Sequence, residues 1–412
     1  MFSQKKILVI IAIVAFLGIC IKCVDNTDIQ NDVRGAAYAG SETCAGCHKE
    51  IHEHYLQSAH RNTSSLASQK TISGNFDKGN NFFVYNDSDK VIMQKIKDSF
   101  YQTEFINGIK KRSERFDIVI GSGRKAQTYL YYDGDQIHEL PVSYFVSINS
   151  WANSPGLPLD HPYFDRNIPS GCFGCHGSAA NVKLEQTGSL QVSEKYIAGQ
   201  QLLGIDCERC HGPGMQHVNY QTNHPEDKTA KFITIIKALT RNQQMEMCAL
   251  CHSGIKKSIQ PVFSFKPGDK LDDYYFPSAL NPSADKLDVH DTQAQTIMSS
   301  KCFQQSNTLT CITCHDTHQK ERDNLPLFSQ RCMTCHTEAN HNFCKMANRI
   351  GNSIKTNCID CHMPTKPSKV IRMLSNINGN QNLQSDYVRT HIVAVYPEES
   401  KKIIAEWKTK DN

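Results

Sequence analysis

Apolar residues recur at every second position through one stretch of the chain and at helical spacing through others. Phe83 and Tyr85, Val91 and Met93, then Phe116, Ile118 and Ile120 alternate with polar neighbours, and Thr128 to Tyr132 continues the pattern. That period predicts strands with one buried face. Asp133-Gly134, between Tyr131-Tyr132 and Gln136 to Val142, predicts a hairpin turn. Gly121-Ser-Gly123 superficially matches a dinucleotide fingerprint, but the strand-like Gln127 to Tyr132 follows it, so a glycine turn between two strands is expected instead. Ile51, Tyr55, Leu56 and Ala59 have helical spacing and predict a short helix opening at His48 with His60 at its far end. Phe232, Ile235, Ile236 and Leu239 predict another over 226–239. Thr240-Arg-Asn-Gln243 has the form of a capping box, starting a helix that delivers Met245, Met247 and Cys248.

At the start, Lys5 and Lys6 precede an unbroken apolar run from Ile7 to Ile21, closed by Lys22. Length and charge order predict a secretory leader. The run is short for a membrane span, which wants about 20 apolar residues. Cys20 or Cys23 is a candidate for acylation, with simple cleavage or a retained anchor as the other outcomes.

Cysteine changes the picture most. Cys-x-x-Cys-His occurs seven times: Cys44/Cys47/His48, Cys172/Cys175/His176, Cys207/Cys210/His211, Cys248/Cys251/His252, Cys311/Cys314/His315, Cys332/Cys335/His336 and Cys358/Cys361/His362. Two thiols three positions apart can each add to a vinyl group on one porphyrin edge, and the adjacent imidazole then faces the iron. One isolated Cys-x-x-Cys reads better as a zinc knuckle or a redox dithiol. Histidine is 18 of 412 residues, yet it follows seven of the eight Cys-x-x-Cys pairs; Cys20/Cys23 is the exception. The expected cofactors are therefore seven covalently bound haem c groups, and their attachment implies export to the periplasm or a membrane face turned towards it.

The motifs are spread unevenly, one near the start and six between Cys172 and His362. This predicts a leader over 1–23, a first haem segment over 24–79, a β-rich insertion over 80–150, a six-haem core over 151–375 and a C-terminal segment over 376–412. With porphyrins supplying much of the buried surface, the fold expected is mainly α with little regular structure, interrupted by that one small β-rich insertion. Cys302 and Cys344 stand outside the motifs, and a disulfide between them is expected. Basic and acidic residues are nearly balanced, 45 against 41, without a nucleic-acid patch. Each bis-His ferric haem adds about −1 net charge and would turn the chain mildly acidic.

Seven irons call for up to seven further imidazoles. The chain's motifs resemble those of multihaem cytochromes c related to the tetrahaem cytochrome of ammonia oxidisers and, more remotely, to pentahaem nitrite reductase. The resemblance rests on Cys44-Ala-Gly-Cys-His48 with Ser58-Ala-His60, on Cys207-Glu-Arg-Cys-His-Gly-Pro-Gly214 with His217, and on Cys311-Ile-Thr-Cys-His-Asp-Thr-His318. Cys358-Ile-Asp-Cys-His-Met-Pro364 and Arg389-Thr-His391 extend it. It implies that His60, His217, His318 and His391 are distal ligands to neighbouring haems. His290, His341 and His224 complete the candidate set, while His52, His54, His138 and His161 are expected to be solvated. The reductases carry Lys at their catalytic haem, and no motif here has one. The expectation is an electron carrier of a respiratory chain, without catalytic residues, serving a membrane quinol-linked complex or a terminal reductase. The alternative is a multihaem oxidoreductase acting on a nitrogen or sulfur species at one five-coordinate haem.

Overall fold

The structure, a computed structural model, describes residues 32–276, 287–377 and 380–410. The leader with Cys20 and Cys23 lies outside them. Among the described residues no helix is long and apolar enough to cross a membrane.

Strands β1 (Ser64–Leu66), β2 (Phe82–Val84), β3 (Asp89–Ile96), β4 (Ser99–Ile106) and β5 (Ile109–Arg115) come first, and β2 to β5 form a four-stranded antiparallel meander. Next come β6 (Ile118–Ile120), β7 (Ala126–Asp133), β8 (Gln136–Glu139), β9 (Val142–Phe145), β10 (Ser150–Asn153) and β11 (Arg166–Asn167). A hairpin of β12 (Gly177–Gln186) and β13 (Val192–Leu203) follows, and another of β14 (Thr365–Ile377) and β15 (Asn380–Arg389) comes late in the chain. The largest sheet has nine strands: β1-β6-β7-β9-β10-β14-β15 in order, with β8 beside β7 and β11 beside β8.

This overturns the expectation of a mainly α chain with one small insertion, since helix and strand each take 28% of the residues. Strands from well beyond residue 150 complete the sheet: β14 pairs with β10 at Ser375↔Ala152, and β11 pairs with β8 at Arg166↔Glu139. The late strands escaped sequence reading because their pattern is weak and β14's partner in the large sheet, β10, is distant. β12 carries the polar run Asn181-Val-Lys-Leu-Glu-Gln186, and its hairpin leaves Leu184 and Val192 exposed, so no apolar face announces it.

The expected strands between 80 and 148 form, and Asp133↔Gln136 closes the hairpin with Gly134 at φ 60°. Gly121, at φ 107°, turns β6 into β7 as expected, and a Cβ there would meet the Ala126 carbonyl at 2.5 Å. Trp151, Tyr129, Phe116, Phe83, Val91 and Met93 fill the main core between the meander and the large sheet. A second cluster on the other face joins Ile118, Leu130 and Ile137 to Phe173 of the second motif and Tyr196 of β13.

The helix from Thr240 forms over Arg241–His252 with both capping-box bonds present. The helix expected over 226–239 does not; only the short 3-10 turn Ile236–Ala238 is regular there. The reason lies in its carbonyls: those of Lys231 and Thr234 accept from the His217 and His211 rings, at 2.8 and 2.9 Å. A helix would have consumed them internally.

Candidate functional site

Every Cys-x-x-Cys-His sits on or at the end of a short helical turn. Residues i, i+3 and i+4 share one face of a helix, so both thiols and the imidazole of a motif point the same way. The helices Ser170–His176 and Cys207–His211 each carry a whole motif, and Arg241–His252 ends on one. These faces open onto one continuous cavity of about 3780 Å³, lined by all seven motif histidines and every motif cysteine except Cys172. Pockets for single small ligands hold roughly 300–1,000 Å³; this one has room for several large planar groups.

Across that cavity, imidazoles face one another in pairs. His48 and His217 have ring centres 6.4 Å apart with planes 17° apart, and His211 and His318 are at 6.0 Å and 23°. His315 and His391 stand at 6.2 Å and 32°, His60 and His252 at 6.2 Å and 84°. An imidazole nitrogen about 2.0–2.1 Å from a metal, with its ring centre about 1.1 Å behind, would put two opposed rings roughly 6.3 Å apart. The near-parallel pairs are too far apart for face-to-face van der Waals contact. His290 lies close enough to His176 to act on it electrostatically, and both line the cavity.

Ring orientation is fixed from behind. His336 and His362 place Nδ1 at 3.1 and 2.8 Å from the carbonyls of Asn342 and Ala394, as His211 and His217 do with theirs. A ring that donates Nδ1–H to a carbonyl presents Nε2 as its free lone pair, the arrangement of metal-bound histidine. Burial holds the His60 and His391 rings down to about 4, with His252 and His315 nearby adding to the effect. Both are therefore neutral at pH 7, the form that binds a metal. Burial also lowers His176, His211, His252 and His315.

Among the described residues, no three or more His, Cys, Asp and Glu side chains converge as a bare metal ion would require. Opposed imidazoles with motif thiols nearby would instead hold a planar metal macrocycle between them. That donor set, with paired thiols at the rim of each gap, fits a thioether-linked porphyrin.

Thiols of different motifs touch. Cys44 lies against Cys207, Cys175 against Cys251, and Cys248 against Cys311. Cys332 is within electrostatic reach of Cys314 on one side and Cys358 on the other, and Cys210 is felt by Cys248 and Cys251. The motifs thus run as first, third, fourth, fifth, sixth, seventh, with the second attached beside the fourth. Arg34 secures the first step, pairing with Asp206 at 2.7 Å and Glu208 at 2.8 Å, while Glu208 also accepts the Ala39, Gly40 and Gly214 amides.

Some candidates stand elsewhere. His224 packs at a tilt against Tyr220, with ring centres 4.6 Å apart, and lies 3.7 Å from Glu226, outside the cavity lining. His341 is exposed at φ 53°, also outside it. Two histidines expected to be solvated are buried. His52 is 9% exposed beside Tyr55 and lines the cavity, because its helix turns it inward. His138 is 8% exposed and stacks on Tyr131 across the β7–β8 pair. His54 and His161 remain at the surface. Cys302 and Cys344 are free thiols rather than a disulfide, since Cys302 sits by Cys314 and Cys335 and Cys344 by Cys358 and Cys361. Sequence reading also missed the residues behind the rings: main-chain carbonyls leave no sequence signal.

No family model matches the chain, and no curated protein does. Among solved structures, the fold is similar to that of the outer cell wall cytochrome OcwA, with a TM-score of 0.53 and 18% identity over 89% of this chain and 82% of that one. This similarity is to a cytochrome in general terms and does not single out the tetrahaem or pentahaem types of the sequence resemblance.

Proposed function

We propose that the chain is an exported heptahaem c-type cytochrome that relays electrons between redox proteins. The observation that carries this reading is the set of four opposed imidazole pairs, each beside a motif's two thiols, around one cavity. Bound haem c would supply a one-electron centre at each motif, with bis-imidazole ligation keeping potentials low relative to Met/His ligation. The protein's share is positional. The fourteen motif cysteines hold the edges, His48, His176, His211, His252, His315, His336 and His362 serve as proximal ligands, and His217, His290, His318, His60 and His391 oppose five of them. Thiol contacts would bring the first and third, second and fourth, and fourth and fifth centres edge to edge, and Cys210 and Cys332 lie within electrostatic reach of thiols of neighbouring motifs, which supports conduction along the array. The similarity in fold to a protein named an outer cell wall cytochrome supports export, and a membrane quinol-linked complex or a terminal reductase is the partner class proposed.

A second reading has its own observation. His336 and His362 line the cavity, yet among the described residues no imidazole is stacked opposite either of them. An open sixth position there would suit an oxidoreductase acting on a nitrogen or sulfur species.

Pyridine haemochrome analysis of the mature protein tests the first reading, with seven haems per chain expected and a count near zero overturning it. Electron paramagnetic resonance then separates the two. His217→Ala should convert one centre to high spin, whereas His224→Ala and His341→Ala should change nothing. A high-spin signal in the wild type that responds to nitrite or cyanide selects the second reading.

A further inference from the structure

The imidazole of the second motif is held differently from those described above. Behind His176, Nδ1 lies 3.2 Å from the Thr63 hydroxyl, and the His176 carbonyl accepts from the Ser64 hydroxyl. His211, His336 and His362 instead put Nδ1 on main-chain carbonyls. The Thr63 carbonyl also hydrogen-bonds to the His176 ring while accepting the Gly121 amide at 2.7 Å, since a carbonyl oxygen has two lone pairs. Ser64 Oγ in turn accepts the Gly204 amide at 2.9 Å. Gly204 sits at φ 76°, pressed against the Arg61 carbonyl where a Cβ would collide. Thr63 and Ser64 belong to the segment following the first motif, more than a hundred residues from His176, and the Thr63 amide bonds to the carbonyl of His60, itself opposite His252.

We propose that Thr63 is a positioning residue that orients His176 and sets its donor strength, and thereby the reduction potential of the centre anchored by Cys172 and Cys175. This rests on the cytochrome reading above. Were Nε2 to bind iron, Nδ1 would keep its proton and donate it in a hydrogen bond to the Thr63 hydroxyl. The stronger that acceptor, the more electron density the ring offers the iron and the better it stabilises the ferric state. Both acceptors behind the His176 ring belong to Thr63, and the hydroxyl is the one a side-chain substitution removes or strengthens, so changing it should move this centre's potential while the carbonyl stays in place. Reduction adds one electron to the iron; the Nδ1 proton stays on the ring, and no bond of the chain forms or breaks. The second motif stands beside the fourth rather than in line with the others, so its potential decides whether it fills as a side store or drains onward.

The test is a spectroscopically monitored redox titration of the full haem-loaded protein, using dithionite as reductant. Thr63→Val keeps the volume and removes the acceptor. It should favour reduction of one centre by about tenfold, about 59 mV for a one-electron couple, and leave the other midpoints in place. Thr63→Asn offers an amide carbonyl and should move the same centre the opposite way. Thr63→Ser should titrate like the wild type. Disturbed packing would move Val and Asn variants in one direction, so shifts of the same sign overturn the proposal, as do Val midpoints superimposed on the wild type. Should Thr63→Val not fold, the Asn and Ser variants decide it. A haem count near zero in the wild type would instead sink the cytochrome reading, and it is measured separately.

Discussion

The sheets and the motif-bearing segments bury apolar surface by different means. In the sheets, side chains do it alone: Trp151 meets Tyr129 and Tyr144 at ring separations of 5.6 and 5.3 Å, and Val91, Met93 and Tyr129 are fully buried. Among the motifs, the side-chain core shrinks to a cluster such as Leu250, Phe265 and Leu271 beside the large cavity. Interiors are normally close-packed, with few voids larger than a water molecule. One region is thus specified by its own side chains, while the other, on the cytochrome reading proposed above, would take much of its apolar contact from bound cofactor.

Withholding haem should break that comparison hardest. Protein made without haem attachment is expected to keep the β-sheet circular dichroism of the sheets, while limited proteolysis cuts throughout 207–362; equal protection of both regions would refute the contrast. Within the sheets, Trp151→Ala empties a site touched by four aromatic rings. It should cost about 3–5 kcal/mol in denaturant unfolding, and a loss below about 1 kcal/mol would mean the sheet core is not what holds that region.

Where the two regions meet, Glu139 is 6% exposed, pushed up to about 7 by burial and only partly offset by Arg166 at 3.0 Å. Its folded value exceeds the unfolded one, so the folded state holds a proton that the unfolded chain releases. The resulting stability is full below about pH 4.5 and is lost as pH rises through about 7. Glu139→Gln should narrow the stability difference between pH 5 and pH 8 by about 2 kcal/mol, read from unfolding midpoints at each pH. The smallest effect belongs to Thr240, whose capping box starts the helix bearing the fourth motif. Thr240→Ala should cost about 1 kcal/mol, and comparing it with and without haem would show how much of that helix the cofactor holds.

Local chemistry was legible in the sequence. The hairpin at Asp133-Gly134 and the Thr240 cap each depend on residues a few positions apart, and each forms as a local pattern requires. Five candidate distal histidines line the cavity, although which motif each faces could not be read, because His217 meets His48 across 169 positions. The strand β14 was illegible for the same reason, since its partner β10 lies more than two hundred residues earlier, and β15 joins the sheet only through β14. His52 shows the limit from the other side, since a polar residue on a short helix gives no sign that its neighbours will cover it.

The facing imidazoles knit remote stretches of chain together, and this has a bearing on the order of assembly. His391 stands opposite His315, so that gap cannot close until residue 391 has emerged. His217 likewise reaches back to the first motif and His318 to the third. On the cytochrome reading, the thiols of a motif would therefore be in place well before the histidine that faces it, and the last histidine to arrive would lock the weave.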